Sequence, residues 1–305
     1  MRQVPKGTHN WGRWGADDER GALNHLTPDV VREAAASIRT GQVYQLGIPI
    51  QQQDVPLIPT RGTPMRLTLR DSTDEGTYPP GRDVPRGTGS HEDMFFFAAH
   101  TTSHMDALVH VYADYHHYNG VAYETMYAMS GAQKLGIEKA GGFAARAVLL
   151  DMPRYFGLSA VPHGQTITAA DLEGAAEAVG VEVRAGDVVL VRTGFLEYWF
   201  ASRPSDAEQY RNGQAGIGVD AAEWLASRDV AAVGSDNAAV EVMPFDKDDF
   251  LIVHKKLLVD HGIYLLEFLD LSGPARDGVA EGLLTVAPLK VTGATGCPIN
   301  PILIA

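Results

Sequence analysis

The chain has 305 residues, 45% of them hydrophobic and 21% charged, with a formal net charge of −13. That composition suits a soluble globular protein with a sizeable core. The acidic balance argues against nucleic acid or an anionic membrane surface as partner, because both need a basic footprint, and leaves a small-molecule substrate as the better expectation.

Met1 to Asn10 is polar, without the apolar core of a signal peptide, and no run approaches the roughly 18 apolar residues of a membrane span. A cytoplasmic protein is expected. The lone cysteine, Cys297, excludes internal disulfides and reads as a buried structural thiol. Residues 1–26 read as an N-terminal arm whose Trp11 and Trp14 must dock, either on the protein's own core or a neighbouring subunit, or else in a substrate pocket. Thr27-Pro28-Asp29 starts a helix, with Thr27 as N-cap and Val30, Val31, Ala34 and Ile38 on its apolar face; Gly41 ends it. Val43 to Pro49 alternates like a strand. From 51 to 90 prolines, glycines and charges accumulate around one short strand, Met65 to Leu69, and a loop of this size suggests a lid.

The most informative run follows: His100-Thr101-Thr102-Ser103-His104-Met105-Asp106-Ala107-Leu108-Val109-His110. Imidazole nitrogen and carboxylate oxygen together suit Zn²⁺, Mn²⁺ or Fe²⁺, and a catalytic site uses about three protein ligands. His100, His104 and Asp106 are the candidates. A helix fails here, since at about 100° per residue Asp106 lies roughly 200° from His104. Extended backbone points both the same way, about 7 Å apart at Cα. The run must still bend, around Thr101 to Ser103 and again after Ala107, because about 33 Å would otherwise separate His100 from His110. Phe95-Phe96-Phe97 and the β-branched threonines predict a buried strand leading into the site, with the three phenylalanines as core or as an aromatic wall shared with Tyr112 and Tyr118. His91, His116 and His117 read as surface groups.

Beyond the run, strands at Ala145 to Met152, Asp187 to Gly194 and Val230 to Val233 alternate with helices from Thr168 to Val179 and, with Asp220 as N-cap, from Ala221 to Ser227. That alternation predicts an α/β fold. Arg192 could face a substrate carboxylate, though an ion pair within the fold is the stronger reading. Gly216-Ile217-Gly218 imitates a dinucleotide fingerprint but follows a polar loop rather than a strand. Asp236 reads as a capping or supporting group. A helix carrying His254 ends at Gly262, and the next strand delivers Glu267. No G-x-S-x-G elbow or H-E-x-x-H motif is present.

The run 100–110 resembles the signature H-x-G-T-H-x-D-x-P-x-H of the metal-dependent cyclase family, which includes kynurenine formamidase and isatin hydrolase. Asp17 to Asn24, Val230 to Asp236, the block from His254 to Glu267 and the tail from Gly282 to Pro301 are also similar to family segments, so the resemblance spans nearly all of 1–305 as one domain. Thr102, Ser103 and Leu108 depart from the pattern at glycine, threonine and proline, and Ala107-Leu108 with Tyr118-Asn119-Gly120 resembles a longer-chain branch.

The resemblance implies a β-barrel-like core, mixed or antiparallel, flanked by helices. It also implies metal at His100, His104 and Asp106, a general acid/base at His110, and in two-metal members a second site of His254, Glu267 and the shared Asp106. One or two divalent ions, Zn²⁺ or Mn²⁺ foremost, and a homodimer or homotetramer belong to the same expectation. The implied activity is hydrolysis of an amide, formamide or cyclic amide, with Phe97, Tyr118 and Arg192 as candidate substrate contacts. The alternatives are a cyclase, dehydratase or lyase using the same site, and a non-catalytic metal-binding homologue.

Overall fold

Strands from both ends of the sequence meet in one sheet. The computed structural model describes residues 9–74, 85, 87–205, 208 and 213–305. Its main sheet has nine strands: β1 (Val43–Gln45), β2 (His104–Asp106), β3 (Phe143–Asp151), β4 (Val188–Arg192), β5 (Ala232–Ser235), β6 (Tyr264–Glu267), β7 (Glu281–Val286), β8 (Gly296–Pro298) and β9 (Ile302–Ile304). Their order is β1-β9-β7-β3-β4-β5-β6-β2-β8. The four central strands β3, β4, β5 and β6 run parallel, and every pairing outside them is antiparallel. The result is a mixed, curled half-barrel flanked by helices, as expected.

The central strands are almost wholly buried, which explains why they read as unbroken Val, Leu and Ala runs. Helix boundaries follow local chemistry. Thr27 accepts a hydrogen bond from the Val30 amide at the start of Pro28–Ala35, and Thr168 and Asp171 form a reciprocal capping box at Ala169–Ala178. The first of these helices stops well before Gly41. The helix Val219–Ser227 begins two residues earlier than Asp220 suggests: Gly218 is its N-cap, and the Asp220 carboxylate instead accepts from the amide of Ala169.

The arm docks on its own chain. Trp11 donates its indole N–H to the Val259 carbonyl at 2.7 Å, Trp14 packs edge-on to His25, and the Tyr118 hydroxyl donates to Asp18 at 3.0 Å. No helix among the described residues is long and apolar enough to cross a membrane.

Two further expectations fail. The strand ahead of the metal run is not buried: Glu92–Phe96 pairs only with Met65–Arg70, as an exposed two-stranded ribbon, and Phe95 is 60% exposed. Ion pairs from Arg66 to Asp93 and Arg70 to Glu92 line the same ribbon, so its phenylalanines are neither core nor the wall of an interior pocket. His116 and His117 are buried, not surface groups, each with Nδ1 on a backbone carbonyl. Of the lid segment, residues 75–84 and 86 lie outside the described residues; at its start, Arg61 donates to the His100 carbonyl at 2.7 Å.

Candidate metal centre

The site lies where β2 meets the end of β6. The antiparallel register places His104 opposite Glu267 and Asp106 opposite Gly296. Residues directly opposite share a face, as do residues two apart on one strand, so His104, Asp106 and Glu267 point into one space. Extended backbone at His104–Asp106 is what the ligand spacing requires. The bend before it falls at Thr101 to Ser103, where Thr102 adopts φ 44°, a left-handed conformation that favours glycine. Threonine at the family's glycine position therefore keeps the glycine-like twist and carries its strain.

The bend returns His100 to the cluster, where Nδ1 lies 2.8 Å from Asp106 Oδ1 and Nε2 lies 3.0 Å from Thr295 Oγ1. Gly296 makes room for that ring: a Cβ there would sit 2.6 Å from His100 Cε1. His110 follows the turn after Ala107 and stacks on His100 with ring centroids 4.0 Å apart. Among the described residues its ring forms no hydrogen bond, and it alone of the site histidines is partly exposed. His254 arrives on the short helix Ile252–His254, which continues as a π-helical stretch, Lys255–Asp260. Such widened turns are frequent at functional sites.

The donor atoms fit a divalent cation. His104 Nδ1 donates to the Thr102 carbonyl at 2.8 Å, which leaves the Nε2 lone pair facing Glu267 Oε2 at 3.1 Å and Asp106 Oδ1 at 3.5 Å. His104 Nε2, Asp106 Oδ2 and Glu267 Oε1 are buried and lack a hydrogen-bond partner among the described residues. A buried polar atom left unpaired is costly, and three of them converging are accounted for by a ligand. Two sets hold their donors within 4.8 Å of one another: His100, Asp106 and His110, and Asp106, His254 and Glu267. Asp106 belongs to both.

The electrostatics agree. Burial by itself raises the Asp106 carboxyl, but His110, His100 and His104 outweigh it and hold the group well below the usual carboxylate range. Glu267 is raised by burial and by Asp106, yet His104 and His254 bring it below its ordinary value. In return, against the lowering effect of burial, the surrounding carboxylates pull His104 up, and His254 up to about 10. Two buried carboxylates thus demand positive charge. His110 goes the other way, pushed down by burial to about 3, and is neutral at pH 7.

Other sequence candidates lie in different company. Arg192 is ion-paired to Asp151 at 2.6 Å and Glu197 at 2.7 Å, as befits a residue of the fold. Tyr118 is fully buried with its hydroxyl on Asp18, and Phe97 stands exposed beside Phe95 at the foot of the ribbon. Asp236 accepts from the amides of Thr193, Gly194 and Phe195, capping the helix Phe195–Ser202. Thr295, Gly296 and Glu241 support the site without a sequence signal of ligand type; only the fold brings them there.

A family model described as "Putative cyclase" matches residues 44–242. No curated protein matches the chain significantly by sequence. Among solved structures, a crystal structure described as a novel cyclase is 34% identical with a TM-score of 0.88, covering 98% of this chain and 100% of that one. Isatin hydrolase A from Labrenzia aggregata is 18% identical with a TM-score of 0.59, covering 89% and 96% respectively. A predicted metal-dependent hydrolase from Bacillus stearothermophilus is 20% identical with a TM-score of 0.53, covering 86% and 97%. The last two share the fold; the family model and the 34% relative establish more, that the chain belongs to the cyclase family.

Proposed function

We propose that the protein is a metal-dependent hydrolase that cleaves the carbon–nitrogen bond of an amide, formamide or cyclic amide in a small substrate. The observation that carries this reading is the convergence of His104 Nε2, Asp106 Oδ2 and Glu267 Oε1, which lack hydrogen-bond partners among the described residues, beside the His110 ring. His100, His104 and Asp106 would hold one ion, and His254 and Glu267 with Asp106 a second. A divalent ion held there, Zn²⁺ or Mn²⁺, would supply a water whose pKa is lowered towards ~7 and a Lewis acid for a carbonyl.

The chain's own groups do the rest. His110, partly exposed at the mouth of the cluster, takes the proton of the attacking water and returns it to the leaving nitrogen. Thr295 and the space above Gly296 hold the His100 ring beside Asp106, and one of its two nitrogens would exchange its hydrogen bond for the ion. Burial of both carboxylates keeps their charge undiluted by solvent. A homodimer or homotetramer in the cytoplasm completes the proposal.

The test is elemental analysis of the purified protein together with turnover of an amide, formamide and lactam panel in ¹⁸O-water. Label in the product carboxylate supports hydrolysis. The description of the 34% relative as a cyclase favours a second reading, cyclisation or elimination at the same site, for which product would form without label. Stoichiometric metal with no turnover of any substrate would leave a non-catalytic metal protein.

A further inference from the structure

Glu241 lies outside the donor set, yet it is fully buried and its carboxylate grips His254. Oε1 lies 2.5 Å from His254 Nδ1 and 3.4 Å from the His254 amide, and Oε2 lies 3.2 Å from the amide of Val253. One carboxylate thus holds both the ring and the first turn of the helix that carries it. The backbone of Glu241 is itself pinned. Gln214 donates to its carbonyl at 3.0 Å, the Val242 amide donates to Ile217 at 3.2 Å, and the Ile217 amide to Val240 at 3.1 Å. Gly216 permits this approach, since a Cβ there would lie 2.3 Å from the Glu241 carbonyl carbon. Val240, at φ 59°, turns the chain so that the carboxylate faces inwards.

The far side of the imidazole faces the cluster. His254 Nε2 lies 3.4 Å from Glu267 Oε1 and 3.7 Å from Asp106 Oδ2, the same two oxygens that lack hydrogen-bond partners. A histidine whose Nδ1–H is held by a carboxylate has its tautomer and ring plane fixed, and its other nitrogen becomes a better ligand. We propose that Glu241 is a positioning residue: it fixes His254 so that Nε2, Asp106 and Glu267 together hold a divalent cation. The proposal rests on the reading of this cluster as a cation site, and it adds a residue that never touches substrate or ion.

The experiment is competition of Zn²⁺ and Mn²⁺ against a chromogenic chelator for the wild-type protein, Glu241→Gln, His254→Ala and the double variant. Folding is checked by circular dichroism, and the His254 ring is followed by ¹⁵N NMR. Glutamine keeps an oxygen for the helix amides, and Glu241→Asp serves as a second, charge-conserving variant. The expected result is affinity for the ion weakened by roughly 10–100-fold in Glu241→Gln. No further loss is expected from the same change in the His254→Ala background, because the effect passes through that ring. In the metal-free Glu241→Gln protein the Nδ1–H resonance of His254 should leave its hydrogen-bonded position, and Glu241→Asp should recover part of both. A folded Glu241→Gln protein with wild-type affinity, or an equal loss with and without His254, overturns the proposal. Should the wild-type protein take up neither ion, the cation reading of the cluster fails and takes the proposal with it.

Discussion

Two buried groups of acids sit at the same end of the sheet and differ in what their oxygens find. Asp236, just past β5, meets three backbone amides and the Thr193 hydroxyl, all within 3.1 Å. Asp106 and Glu267, on β2 and β6, each keep one oxygen that meets no donor among the described residues. A buried acid saturated by N–H groups belongs to the fold; a pair left partly unsatisfied and facing each other belongs to whatever cation completes it.

The sharpest way to break this comparison is to neutralise one acid of each kind. Asp106→Asn should cost about 10³-fold or more in turnover together with bound metal, since Asp106 belongs to both donor sets. The melting temperature of the metal-free protein should change little; retained metal in this variant would refute the assignment. His110→Ala should lower turnover by roughly 10²-fold or more with metal content intact. Metal loss there would move His110 from acid/base to ligand, a role its grouping with His100 and Asp106 makes geometrically open.

Asp236→Ala is the converse. It should leave metal stoichiometry unchanged and destabilise the fold by roughly 3 kcal/mol, because buried amides at a helix start lose their acceptor. Chemical denaturation measures this, and an undiminished midpoint would contradict the capping role.

Acid titration tests the site's charge more gently. The folded-state pKa of His110, about 3, lies below the ~6.5 of the unfolded chain, so between those values protons bind the unfolded chain preferentially. Its contribution to stability is therefore complete above about pH 6.5 and is lost as pH falls towards 3. His254 has the opposite sign, stabilising below about pH 6.5 and losing its contribution as pH rises through about 10. Melting temperatures of the metal-free protein should fall on acidification, and His110→Gln should flatten that fall by a few degrees. An identical slope in the variant would show that the ring titrates normally.

The smallest effect is expected at Thr102. Its left-handed backbone and unpaired buried hydroxyl both oppose threonine, so Thr102→Gly should stabilise the protein by about 1 kcal/mol or less. Destabilisation would mean that the threonine methyl packs more favourably than its backbone is strained.

Much of this comparison was legible in residue order, though not the part that separates the two kinds of acid. Periodicity of two showed that His104 and Asp106 share a direction, and unbroken apolar runs located β3, β4 and β5. The exposed ribbon shows the limit: Phe95, Phe96 and Phe97 carry strong β propensity, but propensity says nothing of what a strand packs against, and theirs pairs only with Met65–Arg70. The helix carrying His254 was readable from its Gly262 stop, whereas its π-helical widening was not.

The sequence by itself determined the chemistry: which imidazoles and carboxylates are available, that two of them lie on one side of an extended strand, and where caps start the helices. These are local properties, set by residue type and by spacings of two to four. The tertiary structure alone decided the partners. Glu267 stands opposite His104 through strand register, Gly296 admits the His100 ring, and Glu241 reaches His254 across a turn pinned to another strand. Such contacts depend on how distant segments pack, and no short-range pattern records them.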